Sequence, residues 1–159
     1  IRSSVENSLR HLNTDYLDVL LLHSNGQDLT ILNDDALLCE LETMKHEGLI
    51  RATGMSSKTV EGGLLATELL DVVMIVYHLN DASQAPVLDA ANENHCGVLI
   101  KKALASGHAV LNQSAEDPVA QSCGFAFAHP AVDAIVTGTL NPQHLYHNAK
   151  VAETLVATS

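Results

Sequence analysis

Four places in this sequence put a polar or charged side chain at the end of an apolar run. His23 follows Leu17–Leu22, and Ser56 and Ser57 follow Ile50–Gly54. Lys101 and Lys102 close the run that starts at Val98, and Gly138 and Thr139 follow Ala134–Thr137. An imidazole so placed can transfer a proton or polarise an oxygen. Serine hydroxyls donate and accept hydrogen bonds. Ammonium groups meet phosphate or an anionic substrate, and a helix opening at Pro142 adds an N-terminus that favours anions. Each residue also has a plainer reading. His23 can be a loop histidine with no role, Ser57 a helix N-cap, and the lysines surface side chains with stems on apolar neighbours. Alternation along a strand sends one of Lys101 and Lys102 inward and the other toward the helices. His11, His46, His95 and His129 lack metal-ligand spacing, and the i, i+3 pair His144 and His147 is a weak signal, so no metal is expected.

The elements that must carry these residues alternate strictly. Five short runs rich in Val, Ile and Leu read as strands: Leu17–Leu22, Ile50–Gly54, Val72–Val76, Val98–Lys101 and Ala134–Thr137. They are mostly uninterrupted by polar residues, as expected of parallel strands buried on both faces. Helical periodicity fills the intervals. Val5, Leu9 and Leu12 share a face, as do Leu37, Leu41 and Met44, which Gly48 terminates. Asp117-Pro118 and Asn141-Pro142 each pair an N-cap residue with proline at the first helical position. Ser83 is expected to cap a helix through Asn94, and Leu145, Ala149, Ala152 and Val156 to form the inner stripe of the last helix. The helix after Ser57 is the weakest, because Gly62-Gly63 sits near its start. Ser24–Asn33 and Gly107–Glu116 read as long loops.

This order means an α/β fold with right-handed crossovers, in a single domain over residues 1–159. An open doubly wound sheet and a section of a β/α barrel both fit it. Pattern alone slightly favours the open sheet, which needs no missing partner for its edges. The ligand signatures of open sheets are nevertheless absent: there is no Gly-x-Gly-x-x-Gly after a strand and no Gly-Lys-Ser/Thr phosphate loop.

The composition narrows the partners. With 47% hydrophobic and 17% charged residues, the 159-residue chain has the makings of a globular core. Its net charge of −11, from 8 basic and 19 acidic residues, argues against nucleic acid and against an anionic membrane surface. No run approaches the roughly 20 apolar residues that span a bilayer. Cys39, Cys96 and Cys123, odd in number and far apart, read as buried thiols, and a cytoplasmic location is expected. The chain opens on Ile1 and reads as starting inside an element, as a truncated or split product would.

Three segments carry a specific resemblance. Asp15-Tyr16-Leu17-Asp18-Val19-Leu20-Leu21-Leu22-His23 resembles the stretch by which aldo-keto reductases enter the fourth barrel strand and deliver a catalytic histidine. Gly48-Leu49-Ile50-Arg51-Ala52-Thr53-Gly54-Met55-Ser56-Ser57 resembles the next strand and its exit, and Gly138-Thr139-Leu140-Asn141-Pro142 through Asn148 resembles the last strand's exit and the cofactor-binding helix. All three stand in the family's order and spacing. The resemblance implies a partial (β/α)8 barrel of about five parallel strands with flanking helices, since a closed barrel takes roughly 250 residues.

The resemblance also implies NAD(P)H-dependent reduction of an aldehyde or ketone, with NADP or NAD as cofactor and a small carbonyl compound as substrate. Hydride arriving at carbon builds negative charge on oxygen, so donors must already stand there. By resemblance His23 is the catalytic histidine; the aspartate, tyrosine and lysine that complete the family's set map upstream of Ile1. Tyr16 and Tyr77 do not replace them, and Tyr16 lies at the wrong rim. Ser56 and Ser57 fall on the Ser-Asn pair that binds the nicotinamide carboxamide, Ser57 departing from it, and Met74 stands at a glutamine position that also binds it. The stretch Lys101, Lys102, Ala103, Leu104, Ala105, Ser106 resembles the segment that wraps the pyrophosphate, with Ala103 in place of its stacking aromatic. Gly138, Thr139, His144 and Asn148 align with residues at the adenosine end. Gly138 and His144 replace the Lys and Arg of NADPH-specific members, which leaves NADP and NAD both open.

Two functional classes follow. One is an oxidoreductase present as a truncated or split barrel, completed by a separate N-terminal half or by homo-oligomerisation at its open edges. The other is a non-catalytic binding module derived from a decayed reductase, which the missing Asp, Tyr and Lys and the departures at Ser57 and Met74 favour for this chain alone.

Overall fold

The apolar runs pair into one parallel sheet: β1 (Leu17–His23), β2 (Ile50–Ser56), β3 (Val72–Val76), β4 (Gly97–Lys101) and β5 (Ala134–Val136), in the spatial order β1-β2-β3-β4-β5. The computed structural model describes residues 1–104 and 117–157. The crossing helices are α1 (Arg2–Leu12), α2 (Asp28–Leu32), α3 (Asp35–His46), α4 (Val60–Leu69), α5 (Ala85–Asn94), α6 (Pro118–Phe127) and α7 (Pro142–Val156).

The strand order decides the architecture. A doubly wound sheet reverses direction at a switch point and so receives helices on both faces. Here no strand is out of sequence. Right-handed crossovers therefore place every helix on the same face, and the sheet curls into a half-barrel with a concave side free of helices. The burial of alternate residues follows. On β3 and β4, Val73, Ile75, Val98 and Ile100 are fully buried beneath the helices, whereas Val72, Met74, Val76, Leu99 and Lys101 are only half-buried on the concave side. The slight preference for an open sheet is thus overturned, and the partial barrel implied by the resemblance is what forms.

The two proline-opened helices start where expected. The Asp117 carboxylate accepts from the Val119 and Ala120 N–H groups, and Asn141 Oδ1 accepts from Gln143 N–H. Gly48, at φ 78°, ends α3 in a backbone region that side chains rarely adopt. Other expectations need correction. The segment Ser24–Asn33 is not a plain loop; it contains α2, anchored by the buried Leu32. The helix leading to Asn94 starts after Gln84, whose side chain makes no capping bond, while the Ser83 hydroxyl turns to Asp81. Cys39 is exposed, and only Cys96 and Cys123 are buried. On α7 the packed residue is Val151, with Asn148, Ala152 and Leu155 half-buried, leaving Leu145, Ala149 and Val156 exposed. Leu12 on α1 is likewise exposed. Both helices flank edge strands, so each packs on one side only. The loop expected at Gly107–Glu116 lies outside the described residues.

One buried carboxylate ties the ends of β1 and β2 together. Asp28, at the start of α2, accepts from the Ser24 hydroxyl, the Lys58 and Thr59 N–H groups and the Thr59 hydroxyl. The last three lie between 2.8 and 3.0 Å away. This closeness explains Gly62: a Cβ there would stand 2.5 Å from Asp28 Oδ2. Gly63 abuts Val87 on α5, where a Cβ would come within 2.7 Å of Val87 Cγ2. The glycine pair that weakens α4 in isolation is what lets α4 approach its neighbours. Thr59, accepting from Gly62 N–H, is its N-cap.

Two predictions follow. In an unobstructed helix, glycine to alanine gains up to about 1 kcal/mol. Gly62→Ala is expected instead to lose about 2 kcal/mol, the scale of overpacking, as a lower urea midpoint. The second concerns pH. Burial pushes the Asp28 carboxyl up, but its donors outweigh that and hold it below the ordinary value. A depressed carboxyl stabilises the fold fully above its unfolded value, about 3.9 for aspartate, and that share is lost as pH falls through the folded value. Asp28→Asn should therefore be less stable at pH 7 and show a flatter loss of stability than the parent between about pH 5 and pH 3, read by thermal melts across that range.

Candidate functional site

Because all five strands are parallel, their C-terminal ends form a single rim. The β1–β2 register pairs His23 with Ser56, so both side chains leave the sheet on the concave side at the same level. Ser56 is in turn paired with Met74, and Lys101 with Val76 and Val136. His23 is exposed, and its ring makes no hydrogen bond among the described residues.

Lys101 spans the mouth from the far side. Its ammonium crosses β3 to donate to Ser56 Oγ at 2.8 Å and to the Ser57 carbonyl at 2.7 Å. No carboxylate lies within 4.0 Å of it among the described residues. Burial first, and then the neighbouring charges of Lys102 and Lys58, push this ammonium below the ordinary lysine value, with Asp28 opposing. Ser56, nearly buried, keeps its own hydroxyl proton to donate.

Ser57 differs from its expected place. Its N–H donates to the Met74 carbonyl, its carbonyl receives Lys101, and its hydroxyl is fully buried without a partner, close to Gly63. The backbone of Ser57 belongs to the mouth; its side chain does not face it, nor is it the cap of α4. Met74 is half-buried on the concave face. Tyr16 lies beneath the Arg51 guanidinium, 3.6 Å from ring centroid to carbon, at the opposite end of the sheet, and Tyr77 is buried against Phe125.

The second region is a groove of about 870 Å³ between the ends of β4 and β5 and the start of α7. It gathers Lys102, Gly138, Thr139, His144 and Asn148, which lie on either side of α6 and β5 in the chain. Lys102 enters because its backbone sits at φ 58°, a left-handed kink just after β4. That kink parts the two lysines: Lys101 serves the mouth, and Lys102 turns to the groove instead of toward the helices. The first turn of α7 carries no acidic residue, so its partial positive charge is not offset there. His147 Nε2 stands 3.0 Å from Asp117 Oδ2, joining α7 to α6 along the wall. Ser106 lies outside the described residues.

Asp28 and Lys58 escaped the sequence reading, and Asp117 and His147 entered it only as an N-cap and as half of a weak histidine pair, not as partners of each other. Asp28 had only the faint signal of an acid four residues after Ser24 in a polar stretch. Lys58 carried none, since its nearness to Lys101 is purely tertiary. Thiol chemistry has little support, as burial pushes the Cys96 thiol up to about 11 and that of Cys123 upward too. Among the described residues there is no group of three or more side chains arranged for a metal ion, and no helix long and apolar enough to cross a membrane.

Comparison with known proteins gives this geometry a family. The profile of the Aldo/keto reductase family matches residues 1–122. No curated protein matches. Among solved structures, a Pseudomonas aeruginosa protein assigned to the aldo-keto reductases superposes with a TM-score of 0.87 at 44% identity, covering 98% of this chain and 58% of its own. An aldo-keto reductase from Klebsiella pneumoniae, in complex with NADPH, gives 0.73 at 25% identity, covering 94% of this chain and 57% of its own. One from Bacillus halodurans, in its holo form, gives 0.79 at 21% identity over 95% and 60%, a likeness of fold alone. The chain thus spans about 58% of the length of the Pseudomonas relative. A profile that runs from α1 into α6, over the first four strands, together with the 0.87 superposition on the Pseudomonas structure, makes this chain a member of the aldo-keto reductase family.

Proposed function

We propose that this chain is the cofactor-holding portion of an NAD(P)H-dependent oxidoreductase that reduces a small aldehyde or ketone. The observation that carries the reading is the groove at β4, β5 and α7, which collects five of the residues that align with the family's cofactor positions. Its volume is within the range of small-molecule sites, about 300–1,000 Å³. When bound, a nicotinamide cofactor supplies the hydride. The chain's own part is to hold it and to shape the oxygen's surroundings. Thr139, His144 and Asn148 face the adenosine end. Lys102 and the unneutralised start of α7 favour phosphate, which compensates for Gly138 and His144 standing where charged residues serve other members. His23 offers an unengaged imidazole beside Ser56, suited to hold and polarise a carbonyl oxygen.

The fit is uneven. The groove suits the adenosine end, whereas at the reacting end the Ser57 hydroxyl is turned away and Ser56 is already bonded to Lys101. Reduction also needs a proton donor, which we assign to the aspartate, tyrosine and lysine of a separate N-terminal portion. The same reading has β1 and β5 pair with further strands, since both are unpaired edges exposing Val19 and Val136.

The test has two arms. NADPH and NADH are titrated into the chain and followed by the fluorescence of the reduced nicotinamide. Saturable binding is expected, weakened roughly tenfold by His144→Ala or Lys102→Met, the scale of one charged hydrogen bond. No saturation with either cofactor refutes retained binding and leaves a non-nucleotide interaction module as the reading. In the second arm the chain is co-expressed with the first three βα units of its Pseudomonas relative. Cofactor-dependent carbonyl reduction is expected only in the mixture, and His23→Ala should lower kcat by about 10²-fold or more. Activity unaffected by that substitution would remove His23 from the mechanism. Light scattering should show the chain alone self-associating through its edges, and a stable monomer at all concentrations counts against the edge pairing.

A further inference from the structure

We propose that Lys101 forms an anion-receiving subsite at the reacting end of the mouth, and that the carbonyl compound taken there carries a carboxylate. This rests on the reading of the chain as a carbonyl reductase and names the substrate class for it.

An ammonium has three hydrogens to donate. Lys101 gives one to Ser56 Oγ and one to the Ser57 carbonyl. The third has no acceptor among the described residues. Both partners are neutral, so among the described residues the charge has no counter-ion. Asp28 is the acid whose field reaches Lys101, but its carboxylate is buried and already accepts from Ser24, Lys58 and Thr59. Lys58 and Lys102 add further positive charge around the same rim. Three of the eight basic residues of a chain with net charge −11 thus stand along this rim, Lys102 on its groove side. A half-buried charge without a counter-ion is costly, and a bound anion removes that cost.

Geometry separates this subsite from the groove. Lys101 points to the concave side, at the level of Ser56 and its register partner His23. Lys102, turned by its positive φ, lines the groove with Thr139 and His144. An anion held by Lys101 is therefore beside the reacting carbonyl and not at the adenosine end. A 2-oxo acid with its carboxylate on Lys101 presents the adjacent carbonyl on the side of His23, the register partner of Ser56. The ties to Ser56 and Ser57 hold the ammonium in place before the ligand arrives, so little side-chain freedom is lost on binding.

The experiment compares pyruvate with pyruvamide, which keeps the ketone and the size but lacks the charge. Binding to the chain is followed by amide NMR shifts of Ser56, Ser57 and Lys101. Pyruvate is expected to bind at least about tenfold more tightly than pyruvamide, the scale of a charge-assisted hydrogen bond. Lys101→Met should erase that preference, Lys101→Arg should retain it, and Lys150→Met, on the exposed face of α7, should leave it unchanged. A purely structural Lys101 would lower stability without altering the ratio. Equal binding of the two compounds, no binding of pyruvate, or a preference that survives Lys101→Met overturns the proposal. If Lys101→Met does not fold, the Lys101 side-chain signal of the parent decides, since it must shift with pyruvate and not with pyruvamide. Cofactor titration separates the two readings: pyruvate preference without NADPH or NADH binding defeats the reductase reading and keeps the anion subsite, and cofactor binding without pyruvate preference does the reverse.

Discussion

Right-handed crossovers between strands that never break sequence order leave one face of the sheet covered by helices and the other bare. From that constraint comes the curvature, and from the curvature a shared mouth. Alternate side chains of all five strands converge on the concave side, and their C-terminal ends lie at one rim. His23, Ser56 and Lys101 are neighbours for this reason alone. A reversed strand order would have put helices over them.

The mouth is stabilised by charges of opposite character. Asp28 is a buried anion with its hydrogen-bonding capacity largely met, and it clamps the exits of β1 and β2 while α4 presses in at Gly62. Lys101 is a half-buried cation bonded to neutral groups. The first is a finished structural interaction and the second an open one. Acids at the other end behave like Asp28: Asp71 receives the Thr53 N–H and hydroxyl and Lys45, and Asp133 receives the Val98 N–H, locking the strand starts. Satisfied acids thus fix both ends of the sheet, and the cation bonded to neutral groups stands at the C-terminal rim, the end that carries the active site in β/α barrels generally.

The groove and the mouth differ in kind. The groove at α7 is lined by apolar side chains such as Leu104, Val119 and Val136, among which Lys102, Thr139, His144 and Asn148 are set. At the mouth, Ser57 turns its hydroxyl into the packing against α4, a thioether stands at Met74, and Lys101 binds Ser56.

By itself the amino-acid order determined the number and type of the main elements, because short β-branched runs and helical periodicity are local signals. It also determined the N-caps at Asp117 and Asn141 and the termination at Gly48, which depend on side chains within one turn. The residues His23, Ser56 and Lys101 could be nominated as strand-end groups, and three motifs in register named the family. Only the tertiary structure decided between open sheet and barrel, since strand order is a property of pairing and not of any segment. It showed that Leu145 and Val156 face outward, because the inner side of α7 is set by its position beside an edge strand. It turned the Ser57 hydroxyl inward, parted Lys101 from Lys102 through one left-handed residue, and brought Asp28 and Lys58 to the rim. Those outcomes depend on contacts between residues tens of positions apart, where local pattern carries no information about who meets whom.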